Sequence, residues 1–182
     1  HVGDLTYRYR VAQLRHSSTV VWENIDPGDR VFSNDAVRTD ELSEAILTLK
    51  DGTKIEMDPD SMIVLNLSEG KQELDFKTGS IVIHPGSGSD WTIRQGDREL
   101  SSMEDRTRIT LQGSDLEIES ASGAELLEGG SKSQIPGGKT ARLRGGRFEF
   151  LESSVVLESP EDNSRFFMAA DSMPVQFAWK SE

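Results

Sequence analysis

The sequence predicts an all-β fold, a solenoid-like stack of short β-hairpins with a β-sandwich as the alternative, and three observations predict it. Turn signals recur at short intervals, among them Asp51-Gly52, Pro59-Asp60, Thr78-Gly79, Gln95-Gly96, Gln112-Gly113, Gly129-Gly130 and Gly145-Gly146, leaving room for strands of a few residues between them. The apolar residues fall in short alternating clusters, the pattern of half-buried strands. Similar strand–glycine–strand phrases recur at 49–57, 76–83, 111–118 and 143–150, the kind of spacing at which stacked supersecondary units repeat.

Taken in chain order, the first strand places Tyr7 and Tyr9 on one face with Leu5 and Val11, which predicts core packing for both tyrosines. Residues 40–45 have the look of a helical turn but run straight into the β-like segment 46–49, so no long helix is expected. Asp51-Gly52 suits a two-residue type I′ turn, since both positions tolerate positive φ there. Such a turn pairs Thr48 with Ile55 and Ile46 with Met57, and makes the first strand interior and the second nearer the surface. Pro59 presets φ for the next turn with Asp58 beside it, and Gly79 lets the chain reverse before 81–83. After Glu158 the character changes: a turn at 159–163 precedes apolar strands expected at 165–168 and 175–179. The division expected is a main β domain over 1–157 and C-terminal strands over 158–182.

Composition narrows the function. Acidic residues outnumber basic ones, 32 to 20, and the net charge of −12 repels a phosphate backbone, which argues against nucleic acid as a partner. With no cysteine, disulfides, thiol nucleophiles and thiolate metal sites are excluded. No stretch of apolar residues is long enough to span a bilayer as a helix. Because the sequence begins without methionine, a signal or membrane anchor upstream is the expectation.

One segment resembles a known family. Trp22 to Asp29, then Asp35-Ala-Val-Arg-Thr39, Ser43 to Thr53, Pro59-Asp-Ser61 and Lys77-Thr-Gly-Ser80 reproduce, in order, the pattern of the FecR domain. The segment beyond 159 resembles the opening strands of an immunoglobulin-like domain. The resemblance implies an all-β domain outside the cytoplasmic membrane, periplasmic or in the cell envelope, and a sensory or protein-interaction role connected with signal transduction. The cytoplasmic segment and membrane helix of iron-uptake FecR relatives do not appear in these residues, so a sigma-factor role does not carry over from them. Asp35, Arg38, Thr39, Asp51, Gly52, Pro59, Ser61 and Gly79 are the signature positions. Their residue types suit scaffold work: turns at Asp51, Gly52, Pro59 and Gly79, and hydroxyls at Thr39 and Ser61 that can bond neighbouring backbone groups at strand entries.

Candidates for chemistry are sparse. His1, His16 and His84 are far apart and lack a ligand-like spacing. The stretches 86–90 and 129–131 lack the lysine and helix of a phosphate cradle and read as loops. Acids at Asp51, Asp58 and Asp60, and at Asp97, Glu99, Glu104 and Asp105, suggest solvated turns, with a weak calcium site as the alternative. Trp91 follows a Gly/Ser loop and is the aromatic expected to be exposed for a partner or ligand. The sequence therefore points to a non-catalytic module with no cofactor. Its expected partner is an envelope protein, with cell-wall glycan or small-ligand binding, or a purely structural spacer, as the alternatives.

Overall fold

The computed structural model describes residues 1–68, 71–151, 155–159 and 178–181. Every regular element among them is a strand, and they build a large mixed sheet arrangement that does not close into a barrel. The chain divides into two compact units, His1–Phe150 and Leu151–Glu182.

In the first unit the strands are β1 (Gly3–Tyr9), β2 (Ala12–Arg15), β3 (Glu23–Asn24), β4 (Arg30–Val31), β5 (Ala36–Thr39), β6 (Glu44–Leu49), β7 (Lys54–Met57), β8 (Met62–Ser68) and β9 (Lys71–His84). There follow β10 (Trp91–Gln95), β11 (Arg98–Ser101), β12 (Thr107–Gln112), β13 (Asp115–Ser120), β14 (Gly123–Glu128), β15 (Ser131–Pro136), β16 (Lys139–Arg144) and β17 (Arg147–Leu151). Their pairings trace two faces. One runs β4-β1-β6-β7-β9-β12-β13-β16, antiparallel throughout. The other runs β3-β2-β5-β8-β9-β10-β11-β14-β15, with β9–β10 its parallel pair. Successive hairpins alternate between the faces, β10–β11 on the second, β12–β13 on the first and β14–β15 on the second. The predicted stack of hairpins is this alternation.

β9 belongs to both faces. Lys71–Thr78 pairs with β8, and Gly79–His84 pairs with β7 and β12. The expectation of a reversal at Gly79 is therefore corrected: the chain keeps going and crosses from one face to the other there. Gly79 has φ +89°, and a Cβ on it would lie 2.3 Å from the Ser61 hydroxyl. Only glycine satisfies both the conformation and the approach.

The core lies between the faces. Leu5, Leu47, Ile55, Ile81, Ile109, Ile118 and Leu143 come from the first, and Leu14, Val37, Ile63, Leu74, Trp91, Leu100 and Leu126 from the second, all buried. Each large aliphatic side chain removed from water contributes about 1.5–3 kcal/mol, and period-2 alternation sends them all inward.

Two expectations fail by one residue each. In the β6–β7 hairpin Leu47 faces Ile55 and Thr48 faces Lys54, with Leu49 N–H donating to Thr53 O. The loop is thus Lys50-Asp51-Gly52, three residues, with Gly52 at φ +87°. A one-residue slip exchanges the faces of a strand. The observed register gathers Ala45, Leu47, Leu49, Ile55 and Met57 on the buried side, whereas the two-residue turn set Leu47 and Leu49 beside Glu56 and Lys54. β7 is also an interior strand, between β6 and β9. In β1, register shifts between Leu5 and Tyr7, so Leu5 is buried while Tyr7 and Tyr9 are exposed.

In the second unit β18 (Val155–Ser159) pairs antiparallel with β19 (Ala178–Ser181). The strand expected at 165–168, and the turn before it beyond Ser159, lie outside the described residues, and with them most of the segment that resembles an immunoglobulin-like domain.

Candidate functional site

Two polar knots tie the faces together, and they absorb most of the signature residues. The first begins at the three-residue loop. Thr53, fully buried, donates its hydroxyl to Asp51 Oδ2 at 2.8 Å and accepts from the Trp91 indole N–H at 3.0 Å and the Gly86 amide at 2.9 Å. Asp51 also accepts from the Thr53 amide, the Ser89 hydroxyl and the Gln72 side-chain amide. A Cβ at Gly86 would lie 2.1 Å from Asp51 O, so the loop from Pro85 to Asp90 is pressed directly onto the hairpin.

The expected exposure of Trp91 is thereby corrected: it is wholly buried. Its N–H needs an acceptor to be buried at low cost, and Thr53, distant in sequence, supplies one. Nothing in the local Gly/Ser context reveals that partner.

Partial burial alone would push the Asp51 carboxyl up. The hydrogen bonds from Ser89 and from the Thr53 hydroxyl and amide together outweigh it, and its pKa falls below the ordinary 3.8. A carboxylate with a lowered native pKa contributes stability that is present above its unfolded pKa and is lost as pH falls through the folded value. Accordingly, the urea midpoint of the wild-type chain should exceed that of Asp51→Asn near neutrality, and the difference should shrink as pH drops below about 4. A difference independent of pH would sink this account of Asp51.

The second knot surrounds the Gly79 crossing. The Thr39 hydroxyl donates to Asp58 O at 2.7 Å and accepts from the Ser61 amide at 3.0 Å. The Ser61 hydroxyl donates to Ser80 O at 2.8 Å and accepts from the Ser80 amide at 2.9 Å. Asp58 receives Ser80 Oγ at 2.8 Å and pairs with Arg108 from β12. The expectation of neighbouring backbone partners at strand entries holds only for Ser61, just before β8, whose hydroxyl also lies 3.3 Å from Pro59 O, whereas Thr39 ends β5 and bonds Asp58 and Ser61 far along the chain. Asp58 reaches out to β9 and β12, and Pro59 and Asp60 form the turn behind it, with Asp60 at φ +55°.

Asp35 forms a smaller node. Its nearly buried carboxylate accepts from the Phe32 amide at 2.8 Å and lies 3.0 Å from His16 Nδ1. Glu73, also nearly buried, faces Lys71 Nζ at 2.9 Å and Arg94 Nε at 3.1 Å. The acids considered for calcium do not converge: among the described residues no group of three potential ligands could hold a metal ion.

One signature residue, the half-buried Arg38, joins neither knot. Arg38 on β5 stands opposite Gln13 on β2, which stands opposite Asn24 on β3. Arg38 donates Nε and Nη2 to Gln13 Oε1, at 2.9 and 2.7 Å, and Gln13 Nε2 donates to Asn24 Oδ1 at 2.9 Å. The Arg38 guanidinium lies 4.3 Å from the Trp22 ring centroid, and that of Arg15 lies 5.2 Å from it. Val20 and Val21, just before Trp22, are among the most exposed apolar side chains of the unit, at 87% and 59%. No local pattern in the sequence foreshadows this cluster, because it assembles across three strands and takes shape only once β2, β3 and β5 are paired.

Comparison with known proteins fits this architecture. A family model described as FecR protein matches residues 35–129, just over half of the chain, spanning both knots. Two crystal structures of a candidate anti-sigma factor from Parabacteroides distasonis ATCC 8503, at 1.65 and 2.50 Å resolution, each superpose with a TM-score of 0.55 at 10% identity, over 64% of this chain. The chain spans 57% of the length of those structures, and at that identity the likeness shows the fold alone. No curated protein matches.

Proposed function

Because this chain belongs to the FecR protein family, we propose that it is a non-catalytic regulatory module of a signal-transduction system, working outside the cytoplasm by binding another protein. The observation that carries this reading is the family match over 35–129, the part of the chain in which both knots lie. The polar side chains that a reaction would need are engaged there in holding the faces together: Thr53 spends its hydroxyl on Asp51, Trp91 and Gly86, and Ser61 spends its own on Ser80. What remains available is surface, and a rigid β-stack presents side chains in fixed rows suited to a protein partner.

Two measurements test it. In-frame removal of residues 35–129 from the chromosomal gene should change the transcript levels of a defined set of genes, and an unaltered transcript profile under all growth conditions tried would refute the regulatory role. For location, alkaline phosphatase joined after Phe150 in the full-length protein should be active only if that point lies outside the cytoplasm, and an inactive fusion would place the module inside.

A further inference from the structure

The geometry points to the Trp22–Arg15–Arg38 cluster as a docking site for an acidic, apolar peptide segment of a partner protein. This deepens the interaction reading above and rests on it.

In a chain with net charge −12, arginines such as Arg98, Arg106 and Arg142 each face a carboxylate. Arg15 and Arg38 face none among the described residues, and both lie against the same indole ring instead. Two guanidiniums gathered at one indole ring are like charges held close together, and a carboxylate bound beside them would be favoured by both. The site is also held ready. Asn24 orients Gln13 and Gln13 fixes two donor groups of Arg38, so the planar fork is set before any ligand arrives. Arg38 Nη1 and the Arg15 guanidinium keep donors to offer.

Beside the charges lies apolar surface: Val20 and Val21 stand in solvent, next in sequence to the half-buried Trp22. Tryptophan and arginine are the residue types that dominate binding energy at protein interfaces. The cluster sits at the margin of its sheet, where β3 pairs with β2 alone among the described residues, so an extended segment can approach without displacing a neighbour there. An anionic membrane is the weaker fit, because the surplus of acids over the rest of the chain opposes approach to such a surface.

The test is selection of displayed random linear peptides on the purified 182-residue chain. Enrichment of sequences joining Asp or Glu to Leu, Ile, Val or an aromatic residue is expected. A synthetic peptide of the enriched sequence should bind more weakly in high salt, and its affinity should fall about tenfold or more in the Arg15→Ala/Arg38→Ala double variant and in Trp22→Ala. Arg15→Ala alone guards against misfolding, since Arg15 makes no side-chain hydrogen bond among the described residues, and it should still weaken binding while leaving the thermal midpoint in place. No enrichment, enrichment of basic or uncharged peptides, or equal affinity in all variants would overturn the proposal. So would binding of phosphatidylglycerol vesicles, or a concentration-dependent dimer, that the same substitutions abolish, because either would give the patch a different occupant. Failure here alongside an intact transcript response to removal of 35–129 removes this patch and leaves the regulatory reading standing.

Discussion

Trp91→Ala is expected to destabilise the 1–150 unit by about 3–5 kcal/mol, measured by urea unfolding at neutral pH. The substitution empties a wholly buried site and takes away a donor from Thr53, whose hydroxyl otherwise accepts from both the indole and the Gly86 amide. Trp91→Phe separates the two contributions. It restores most of the ring volume but not the N–H, and should leave a residual loss of about 1–2 kcal/mol. A surface tryptophan would show neither effect, so a change within about 0.5 kcal/mol for Trp91→Ala would contradict the burial described here.

Gly79→Ala is the second large effect. Two costs combine: a non-glycine residue held at φ +89°, and a Cβ forced against Ser61 and the Asp60 carbonyl. Strain and overpacking each cost about 1–3 kcal/mol, so a loss on the order of 3 kcal/mol or more is expected. Gly96→Ala is the control. Gly96 also has positive φ, +64°, but nothing lies within 4 Å of its would-be Cβ, so only conformational strain of about 1 kcal/mol applies. Equal losses at the two positions would mean that close approach at the crossing plays no part.

These two residues also mark where the sequence could and could not be read. The all-β class and several turn positions were legible, because Gly113, the Gly129-Gly130 pair and Gly145 sit at positive φ between strands whose alternation is visible in the letters. The FecR signature was legible too, as five short pieces in order. Gly79 sits in a phrase indistinguishable from those of the hairpins, yet its strand continues; the difference is made by Ser61, just before β8, which no local pattern contains. The Asp51-Gly52 register hinged on whether Lys50 belongs to the strand or the loop, and only the buried face of β7 decides that. Trp91 looks exposed because its neighbours are Gly and Ser, while the acceptor that lets its N–H be buried, Thr53, lies thirty-eight positions earlier. Long-range pairing, in each case, overrode what the local letters suggested.

The double membership of β9 has a bearing on how the unit tolerates damage. Hairpins near the β15 and β16 margins each border the rest along one side, so trimming there peels off a terminal layer and leaves the remaining ladders intact. Loss of the segment from Lys71 to His84 would instead strip one neighbour from four strands at once, two on each face. Fraying should therefore be graded from the far margins inward, with the slowest amide exchange on that one shared segment.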